Sequence, residues 1–383
     1  MTDLEHILPL WSELEASGAD YVLATVVAVE GSSYRKPGAR MLMAQDGRRA
    51  GTVSGGCLEA EVVRRAWWLT AEGPMVERYS TLEDDGDLPF GSGCGGVVYL
   101  LLERRKTAAT LLVGLKAAFD ARTPLAVATI LEGPRIGQRA FSGLSQGVTA
   151  IGEDASRSCK STLAELAAMA LETRTSIEQN ILVDGEPTRV WADYRAARPG
   201  LWIFGAGDDA KPLLHLAREL GWFVVVADGR SHLATKSRFA AADDVLSLPI
   251  AELPDASPAY HDLHPSDAAV MMTHSFEQDS RILASLLGNG QECPLTYIGV
   301  LGPQRRTREL LAEAARRRHL PATTERIERW LAQIHAPMGL DLGSDTPASI
   351  ALSIVAEIQQ AITAATALPL RQVRATSVPV TQD

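Results

Sequence analysis

Residues 201–230, LWIFGAGDDAKPLLHLARELGWFVVVADGR, constrain the fold of this chain more than any other segment. An apolar run typical of a buried strand leads into Gly205-x-Gly207-x-x-Ala210, and a helical pattern and a second apolar run follow. The second run ends at Asp228. Glycines in this arrangement permit a tight turn and close approach of a pyrophosphate to a helix N-terminus, and the acid can accept from a ribose hydroxyl. The segment therefore predicts a strand, glycine loop, helix and strand of the dinucleotide-binding kind.

Strand and helix patterns alternate from this segment onwards, which is typical of a parallel, doubly wound sheet. We predict a Rossmann-like C-terminal domain over 196–370 and a flexible tail over 371–383. Asp208 and Asp209 set two carboxylates beside the expected pyrophosphate position, although acids also favour a helix N-terminus as capping groups. The fold prediction therefore leaves NAD(P) binding open, because a fold does not specify its ligand.

Two further positions fall at the expected carboxyl edge of that sheet. His274 ends the apolar run AAVMMTH, where it is either a proton-transfer or metal-binding group or a cap for the next helix. Arg305 and Arg306 open another helix, where cations are unfavourable unless an anion offsets them. The sequence thus indicates either an anionic ligand at Arg305 or salt bridges to Asp208 or Asp209.

The residues before 196 show mixed patterns that predict an α+β domain over 1–195. An amphipathic helix opens the chain, YVLATVVAVEG reads as a buried strand, and ARMLMAQDG as its hairpin neighbour. The later segments AVATILEG and SRSCKSTLAEL echo ATVVAVEG and SGGCLEAEVV, which sets Cys57 and Cys159 at matching points. A weak internal duplication and chance similarity of strand–helix units both explain this echo.

Cys57 follows Ser54, Gly55 and Gly56 at the expected start of a helix. A helix N-terminus lowers the pKa of a thiol and stabilises its thiolate, and paired glycines keep the approach open. The alternative is a buried cysteine that fills a contact between helix and sheet. The glycine pair favours the accessible thiol.

Two other segments supply candidate partners for this thiol. Cys94 lies among glycines in GSGCGGVV, where it either lines the same cleft or fits a turn that needs a small residue. The segment EGSSYRKPGARM brings Ser33, Arg35 and Arg40 together as anion donors, unless it is simply a solvated basic loop. We therefore predict a cleft that combines a thiol with groups that bind anions.

Charge and cysteine content exclude several classes of protein. A net charge of −10 opposes binding to a nucleic-acid backbone, which needs a concentrated basic face. We expect no membrane segment, because no apolar run is long enough, and the acidic N-terminus is unlike a signal peptide. The four cysteines form no CxxC pair, so we expect reduced thiols in a cytoplasmic protein.

Several motifs occur together in one order along the chain: EGSSYRKPGARM, GTVSGGCLEAEV, GSGCGGVVYLLLE, LWIFGAG, VVVADGR, VMMTH, YIGVLGPQRR and APMGLDLGSDTPASIALSIVAEI. In these motifs the chain resembles the XdhC/CoxF family of maturation factors for xanthine and carbon monoxide dehydrogenases. The resemblance implies a chaperone, rather than an enzyme, that holds molybdenum cofactor while its sulfido ligand is installed. It further implies a molybdenum hydroxylase as client, a cysteine desulfurase as partner, and a homodimer.

Under this resemblance Cys57 touches or guards the metal centre, and the Rossmann-like domain holds a nucleotide or stabilises the dimer. The sequence departs from the family at Asp208, where many members have a histidine. Two alternatives remain. One is an NAD(P)-dependent oxidoreductase that uses Gly205, Gly207 and Asp228 with His274 as acid or base. The other is an assembly scaffold without cofactor contact, in which the cysteines are structural.

Overall fold

The chain divides into two compact units, Met1–Arg198 and Pro199–Asp383. The computed structural model describes residues 2–80, 96–144, 149–150, 157–183, 185–248, 263–287 and 295–375. The first unit is α+β and the second contains a parallel sheet with helices on both faces, which confirms the predicted fold class. Within the described ranges, no helix is both long and apolar enough to cross a membrane.

The described residues of the first unit form two antiparallel sheets of five strands each. The strands of sheet A are β1 Tyr21–Gly31, β2 Arg40–Ala44, β3 Arg49–Gly51, β4 Met75–Ser80 and β5 Gly96–Arg104. The strands of sheet B are β6 Leu125–Ile130, β7 Arg139–Ser142, β8 Thr149–Ala150, β9 Ile177–Val183 and β10 Glu186–Arg195. Their spatial orders are β3-β2-β1-β5-β4 and β8-β7-β6-β10-β9, so the two sheets have the same topology.

The helices of the first unit are α1 Thr2–Ser17, α2 Glu59–Leu69, α3 Arg105–Ala121 and α4 Arg157–Thr173. Helix α2 packs Val62 and Ala66 on sheet A, and α4 packs Leu163 and Ala167 on sheet B. Helices α1 and α3 share a third core with strands of both sheets. The echo in the sequence thus corresponds to two sheets, each covered by the helix that follows its third strand.

Two ion pairs connect these sheets at matching positions. Arg40 on β2 donates from Nη2 to Asp193 Oδ2 on β10 at 2.7 Å, and Arg139 on β7 binds Glu103 on β5. All four side chains are buried. Each arginine is the first residue of the second strand of its sheet, and each acid belongs to the last strand of the other sheet.

The strand registers show that the two pairs are equivalent. Arg40 lies opposite Thr25 on β1, and Arg139 lies opposite Thr129 on β6. Glu103 lies opposite a residue two before Thr25, and Asp193 opposite a residue two before Thr129. Each sheet therefore supplies an arginine to the other sheet and a carboxylate to the other sheet's arginine.

The second unit is built on sheet C, whose strands are β11 Gly200–Phe204, β12 Phe223–Asp228, β13 Asp244–Ser247, β14 Ala268–Met271 and β15 Tyr297–Val300. Their order is β13-β12-β11-β14-β15, and all pairs are parallel. Its helices are α5 Ala210–Glu219, α6 Phe276–Leu286, α7 Gln304–Arg317, α8 Thr324–Leu331, α9 Pro347–Thr363 and α10 Leu370–Ala375. The chain reverses direction across the sheet between β11 and β14, where ligands of such folds bind.

Three features of the structure are not evident from local sequence patterns. The polar stretch before 196 contains β10, which pairs with both β6 and β9 and so is an inner strand of sheet B. Helix α6 begins earlier than its apolar pattern, because Ser275 caps it by accepting from Gln278 N. The predicted tail over 371–383 begins inside α10, whose first turn bonds back to Pro369.

The exchanged ion pairs give a test of stability. We expect Glu103→Ala to lower the free energy of unfolding by about 3–5 kcal/mol, because it leaves the Arg139 guanidinium buried without its partner. Urea unfolding of the variant and the wild type measures this change. Asp120→Ala, which removes an exposed pair with Lys116, is the control and should cost less than about 1 kcal/mol. Equal effects of the two substitutions would contradict a special role for the buried pair.

Candidate functional site

The loop Ser54–Cys57 connects β3 to α2 and leaves its thiol in solvent. Helix α2 begins at Glu59 with Leu58 as N-cap, so Cys57 lies just before the helix. Cys57 is a free, exposed cysteine. Gly56 has φ +112°, a left-handed conformation that side chains disfavour. Apart from its chain neighbours, no described residue has a heavy atom within 4 Å of where its Cβ would be. The loop therefore presents the thiol beside an open stretch of backbone.

Hydrogen bonds of Ser54 and Glu59 fix the conformation of this loop. Gly56 and Leu58 each donate their N–H to Ser54 Oγ at 3.1 Å, and Ser54 Oγ donates to Glu59 Oε2. Glu59 Oε1 accepts from Ser54 N at 2.8 Å and from Val53 N at 3.2 Å. Both side chains are buried. Glu59, which the sequence analysis did not single out, thus fixes the turn that places Cys57.

Electrostatics favour the ionised form of Glu59. Burial raises the pKa of this carboxyl. Hydrogen bonds from the Ser54 hydroxyl and from backbone amides together lower it by more, so the pKa falls below its usual range. The negative charge also lies in the first turn of α2, where a helix dipole stabilises an acid. The loop is consequently anchored to a fixed carboxylate.

A small cleft lies beside the loop. Ser32, Ser33 and Tyr34 form one side, and Ser54, Gly55, Cys57 and Leu58 form the other, with Val98 of β5. The Tyr34 ring contacts the Gly55 position, since an ideal Cβ there would lie 3.5 Å from its Cγ. The structure thus brings Ser33, Ser54, Gly55 and Cys57, all predicted site residues, to one cleft.

The two predicted arginines of this region are engaged in ion pairs. Arg35 binds Asp3 of α1, and Arg40 is buried against Asp193. Neither lines the cleft beside Cys57. Lys36, a third cation of the same loop, is exposed.

Of the other three cysteines, the structure describes Cys159. Cys94 lies outside the described residues, and so does Cys293. Gly96 from the same glycine motif as Cys94 is required by packing, because a Cβ there would lie 2.1 Å from the Ser32 carbonyl oxygen. Cys159 is buried within α4, among the side chains that pack on sheet B. The cysteines at matching points of the sequence therefore differ, since Cys57 precedes its helix and is exposed.

The glycine loop of the second unit packs against the backbone just after β14. Gly205 has φ +131°, and a Cβ on it would lie 2.7 Å from the backbone carbonyl atoms of Met272. Gly207 is less restricted, because a Cβ there would meet only the Asp209 side chain, which can move. Gly205 is therefore needed for the fold of the loop whether or not the loop binds a ligand.

Asp228, the predicted ribose acceptor, is fully occupied by the protein itself. Its Oδ2 accepts from Ala206 N at 2.7 Å and from Arg230 Nη2 at 2.8 Å. Its Oδ1 accepts from Arg230 N at 2.8 Å and from Arg230 Nε at 3.0 Å. Burial raises the pKa of Asp228. The hydrogen bonds from Arg230 and Ala206 together lower it by more, so the pKa falls below its usual range. A ribose hydroxyl would have to displace one of these donors.

The neighbouring acids also have partners. Asp208 binds Lys211 Nζ at 2.7 Å and Arg238 Nη2 at 2.9 Å. Asp209 occupies the N-cap position of α5, but its side chain makes no capping hydrogen bond. The expected caps are therefore replaced by an ion-pair cluster at Asp208.

The histidine and arginines at the carboxyl edge are dispersed. His274 is exposed after β14, and Ser275 rather than His274 caps α6. Arg306 binds the buried Asp279 at 2.6 Å, and Arg305 lies on the surface with Glu309. The salt bridges expected to Asp208 or Asp209 are thus made to other acids. Among the described residues, no three His, Cys, Asp or Glu side chains group as metal ligands.

The two units together define a class of protein, in which an α+β unit with a glycine–cysteine loop is joined to a Rossmann-like unit. Residues 14–80 match the model of the XdhC and CoxI family, and residues 201–358 match the XdhC Rossmann domain. The chain belongs to the XdhC and CoxI family. The matched N-terminal segment contains the whole Ser54–Cys57 loop.

Two curated relatives and one solved structure describe this similarity further. A probable xanthine dehydrogenase subunit from Bacillus subtilis is 32% identical over 347 residues, covering 88% of this chain and 92% of that protein. The molybdenum cofactor insertion chaperone PaoD from Escherichia coli is 33% identical over 122 residues, 30% of this chain and 35% of PaoD. A crystal structure described as a xanthine dehydrogenase from Bacillus halodurans has a TM-score of 0.71 at 28% identity, over 97% of this chain and 100% of that one.

The anchor at Glu59 predicts a pH-dependent stability. Because its folded pKa is lowered, Glu59 stabilises the protein above the ordinary glutamate value of 4.5, and this contribution is lost as the pH falls through the folded pKa. We expect Glu59→Gln to lower the free energy of unfolding at pH 7 by about 1–3 kcal/mol. The variant should also lose less stability than the wild type on acidification. Urea unfolding between pH 7 and about pH 3 measures both effects.

Glu61→Gln is the matched control on the same helix, because the Glu61 carboxylate binds the exposed Arg64. It should change stability by less than about 1 kcal/mol. If Glu59→Gln and wild type lose stability in parallel on acidification, Glu59 is not the anchor of this loop.

Exposure of the thiols predicts their reactivity. We expect iodoacetamide at neutral pH to modify Cys57 much faster than Cys159, because Cys57 is exposed and Cys159 is 1% exposed. Peptide mass spectrometry over a time course measures both rates in the native protein and in urea. Comparable native rates would contradict the described setting of the loop.

Proposed function

We propose that this protein is a maturation factor that binds molybdenum cofactor and delivers it to a molybdenum hydroxylase of the xanthine or carbon monoxide dehydrogenase type. The observation that carries this proposal is the exposed Cys57, held at the mouth of a cleft by Ser54 and Glu59. Membership of the XdhC and CoxI family, and the name of the relative PaoD, support the cofactor. The protein acts as a chaperone without turnover of its own.

The residues of the cleft suit such a cofactor. Molybdenum cofactor supplies a soft metal centre and an anionic phosphate. Soft metals prefer thiolate ligands, so Cys57 is the group that would contact or guard the metal. The hydroxyls of Ser32 and Ser33 and the open backbone at Gly56 offer hydrogen-bonding groups for the polar pterin. The chain's own task is to hold and orient the cofactor beside this loop.

The same proposal includes the partners. The client is a molybdenum hydroxylase, and a cysteine desulfurase supplies the sulfur while the cofactor is held. We also propose a homodimer and a cytoplasmic location, where an exposed thiol such as Cys57 stays reduced.

Two alternatives make different predictions. An NAD(P)-dependent oxidoreductase is favoured by the Gly205–Gly207 loop, but the occupied Asp228 argues against it. An assembly scaffold with structural cysteines fits the buried Cys159, but it gives no reason for an exposed Cys57 on a left-handed glycine turn.

We expect the wild-type protein to retain molybdenum cofactor in anaerobic gel filtration and Cys57→Ala to lose most of it. The reason is that the substitution removes the sulfur beside the cleft while leaving the Ser54–Glu59 anchor intact. Pterin in the protein peak is quantified by fluorescence after oxidation. Cys159→Ala is the matched control and should retain cofactor, because its thiol lies within the sheet B core.

The same gel-filtration experiment distinguishes the oxidoreductase from the scaffold. Retention of NAD(P) without pterin would support the oxidoreductase. Retention of neither ligand, with normal activation of the client by Cys57→Ala, would support the scaffold. Equal pterin retention by Cys57→Ala and wild type would contradict the role given to the thiol.

A further inference from the structure

The outward face of helix α9 in the second unit carries no charged side chain. One face of this helix packs into the core beside sheet C. The residues of the other face are exposed or half-buried and recur at helical spacing: Ala348, Leu352, Ala356, Gln359 and Thr363. Surface helices normally turn charged and polar residues towards solvent. An uncharged outward face is therefore suited to contact with another surface.

The charge that α9 does contain is directed into its own unit. Glu357 is the one charged residue between Pro347 and Thr363. Its Oε2 accepts from Tyr297 Oη and from Gly339 N, both at 2.6 Å. Its Oε1 is 3.0 Å from Nδ1 of a histidine at the edge of sheet C. These bonds hold the carboxylate away from the outward face.

The segment that follows α9, residues 364–375, is a short arm that ends in α10. Residues 364–373 are all exposed, and among them Leu368 and Leu370 are 54% and 65% exposed. The first turn of α10 is closed by N–H groups of Gln372 and Val373, which donate to the Pro369 carbonyl oxygen. A helix of six residues is not stable in water by itself, because most helical stability comes from packing of an apolar face. The arm thus presents leucines that lack a covering surface in the described part of the chain.

Charge indicates which surface covers the arm. Arg371 and Arg374 are the only charged residues between Glu357 and Asp383, so the arm is basic as well as apolar. The whole chain has a net charge of −10, so a second copy attracts the arm. Two acidic copies repel each other over most of their surface, and the uncharged face of α9 allows close approach. The arm and α9 are therefore complementary surfaces on two copies of this chain.

We propose that α9 and the arm form the homodimer interface, with the arm of each copy packed on the outward face of α9 of the other. The proposal rests on the homodimer in the proposed function and assigns its surface. A two-fold axis near the middle of α9 brings the same patch of both copies together. Antiparallel α9 helices, each about 25 Å long, then place Thr363 of one copy near the start of α9 in the other.

This arrangement explains why the arm leaves α9 with its leucines exposed. From Thr363 the arm needs only a few residues to bring Leu368 and Leu370 against the Leu352 of the other copy. Burial of these three exposed leucines would remove apolar surface from water. The exchange occurs twice in the dimer, because the contact is isologous.

Sedimentation velocity of the full-length protein over a dilution series tests the interface. We expect wild type to dimerise, and Leu370→Glu and Leu352→Glu each to weaken association at least about tenfold, because each sets an acid into an apolar contact between acidic chains. Both leucines are exposed in the single chain, so neither substitution removes a core contact. Leu182→Glu is the matched control, since Leu182 on β9 is 67% exposed and lies outside the interface. It should dimerise as wild type does.

The outcomes separate this interface from the homodimer itself. A monomeric wild type would overturn both. A dimer that neither substitution weakens more than the control would overturn the interface alone. An effect of Leu352→Glu without an effect of Leu370→Glu would overturn the exchange of arms. If wild type is monomeric and binds phosphatidylserine vesicles through Leu370, the arm docks on lipid and not on a second copy.

Discussion

Two buried arginine–carboxylate pairs determine how the first unit is assembled. Each pair crosses from one antiparallel sheet to the other, so neither sheet satisfies its own buried charge. A buried charge without its partner is costly, which makes the two sheets interdependent although each has its own core. Arg40 also fixes the start of β2, and the loop before it carries Ser32, Ser33 and Tyr34 to the cleft. The segment from Ser32 to Arg40 thus connects the cleft beside Cys57 with the buried pair at Asp193.

Local patterns in the sequence were sufficient for much of the fold. The doubly wound sheet follows from alternating strand and helix signals, and α9 begins at Pro347 because Thr346 caps it, as its sequence predicts. The inner strand β10 was missed because polar residues alternate along it, and its partner β6 lies more than fifty residues earlier. The number of neighbours of a strand is a property of tertiary structure that periodicity does not report.

The candidate site was also predictable only where it depends on local sequence. Glycines and a cysteine before an amphipathic helix predicted the loop at Cys57, because each residue type limits the local backbone. The role of Glu59 needed the folded loop, although an acid five residues after Ser54 in a first helical turn was a usable signal. Arg35 and Arg40 were predicted as anion donors, and only the structure shows that Asp3 and Asp193 occupy them. A partner distant in sequence cannot be deduced from a charged residue alone.

The contact between Asp228 and Arg230 has a consequence for the dinucleotide motif. A guanidinium tethered two residues away competes with any free hydroxyl at an effective concentration of roughly millimolar or higher. In the second unit, Arg230 thus competes with a ribose hydroxyl for Asp228. Gly205 meanwhile remains indispensable, because the backbone of Met272, just after β14, leaves no room for a side chain. A glycine motif of this kind can thus be required by backbone packing, while the acid that follows it binds an arginine of the same chain.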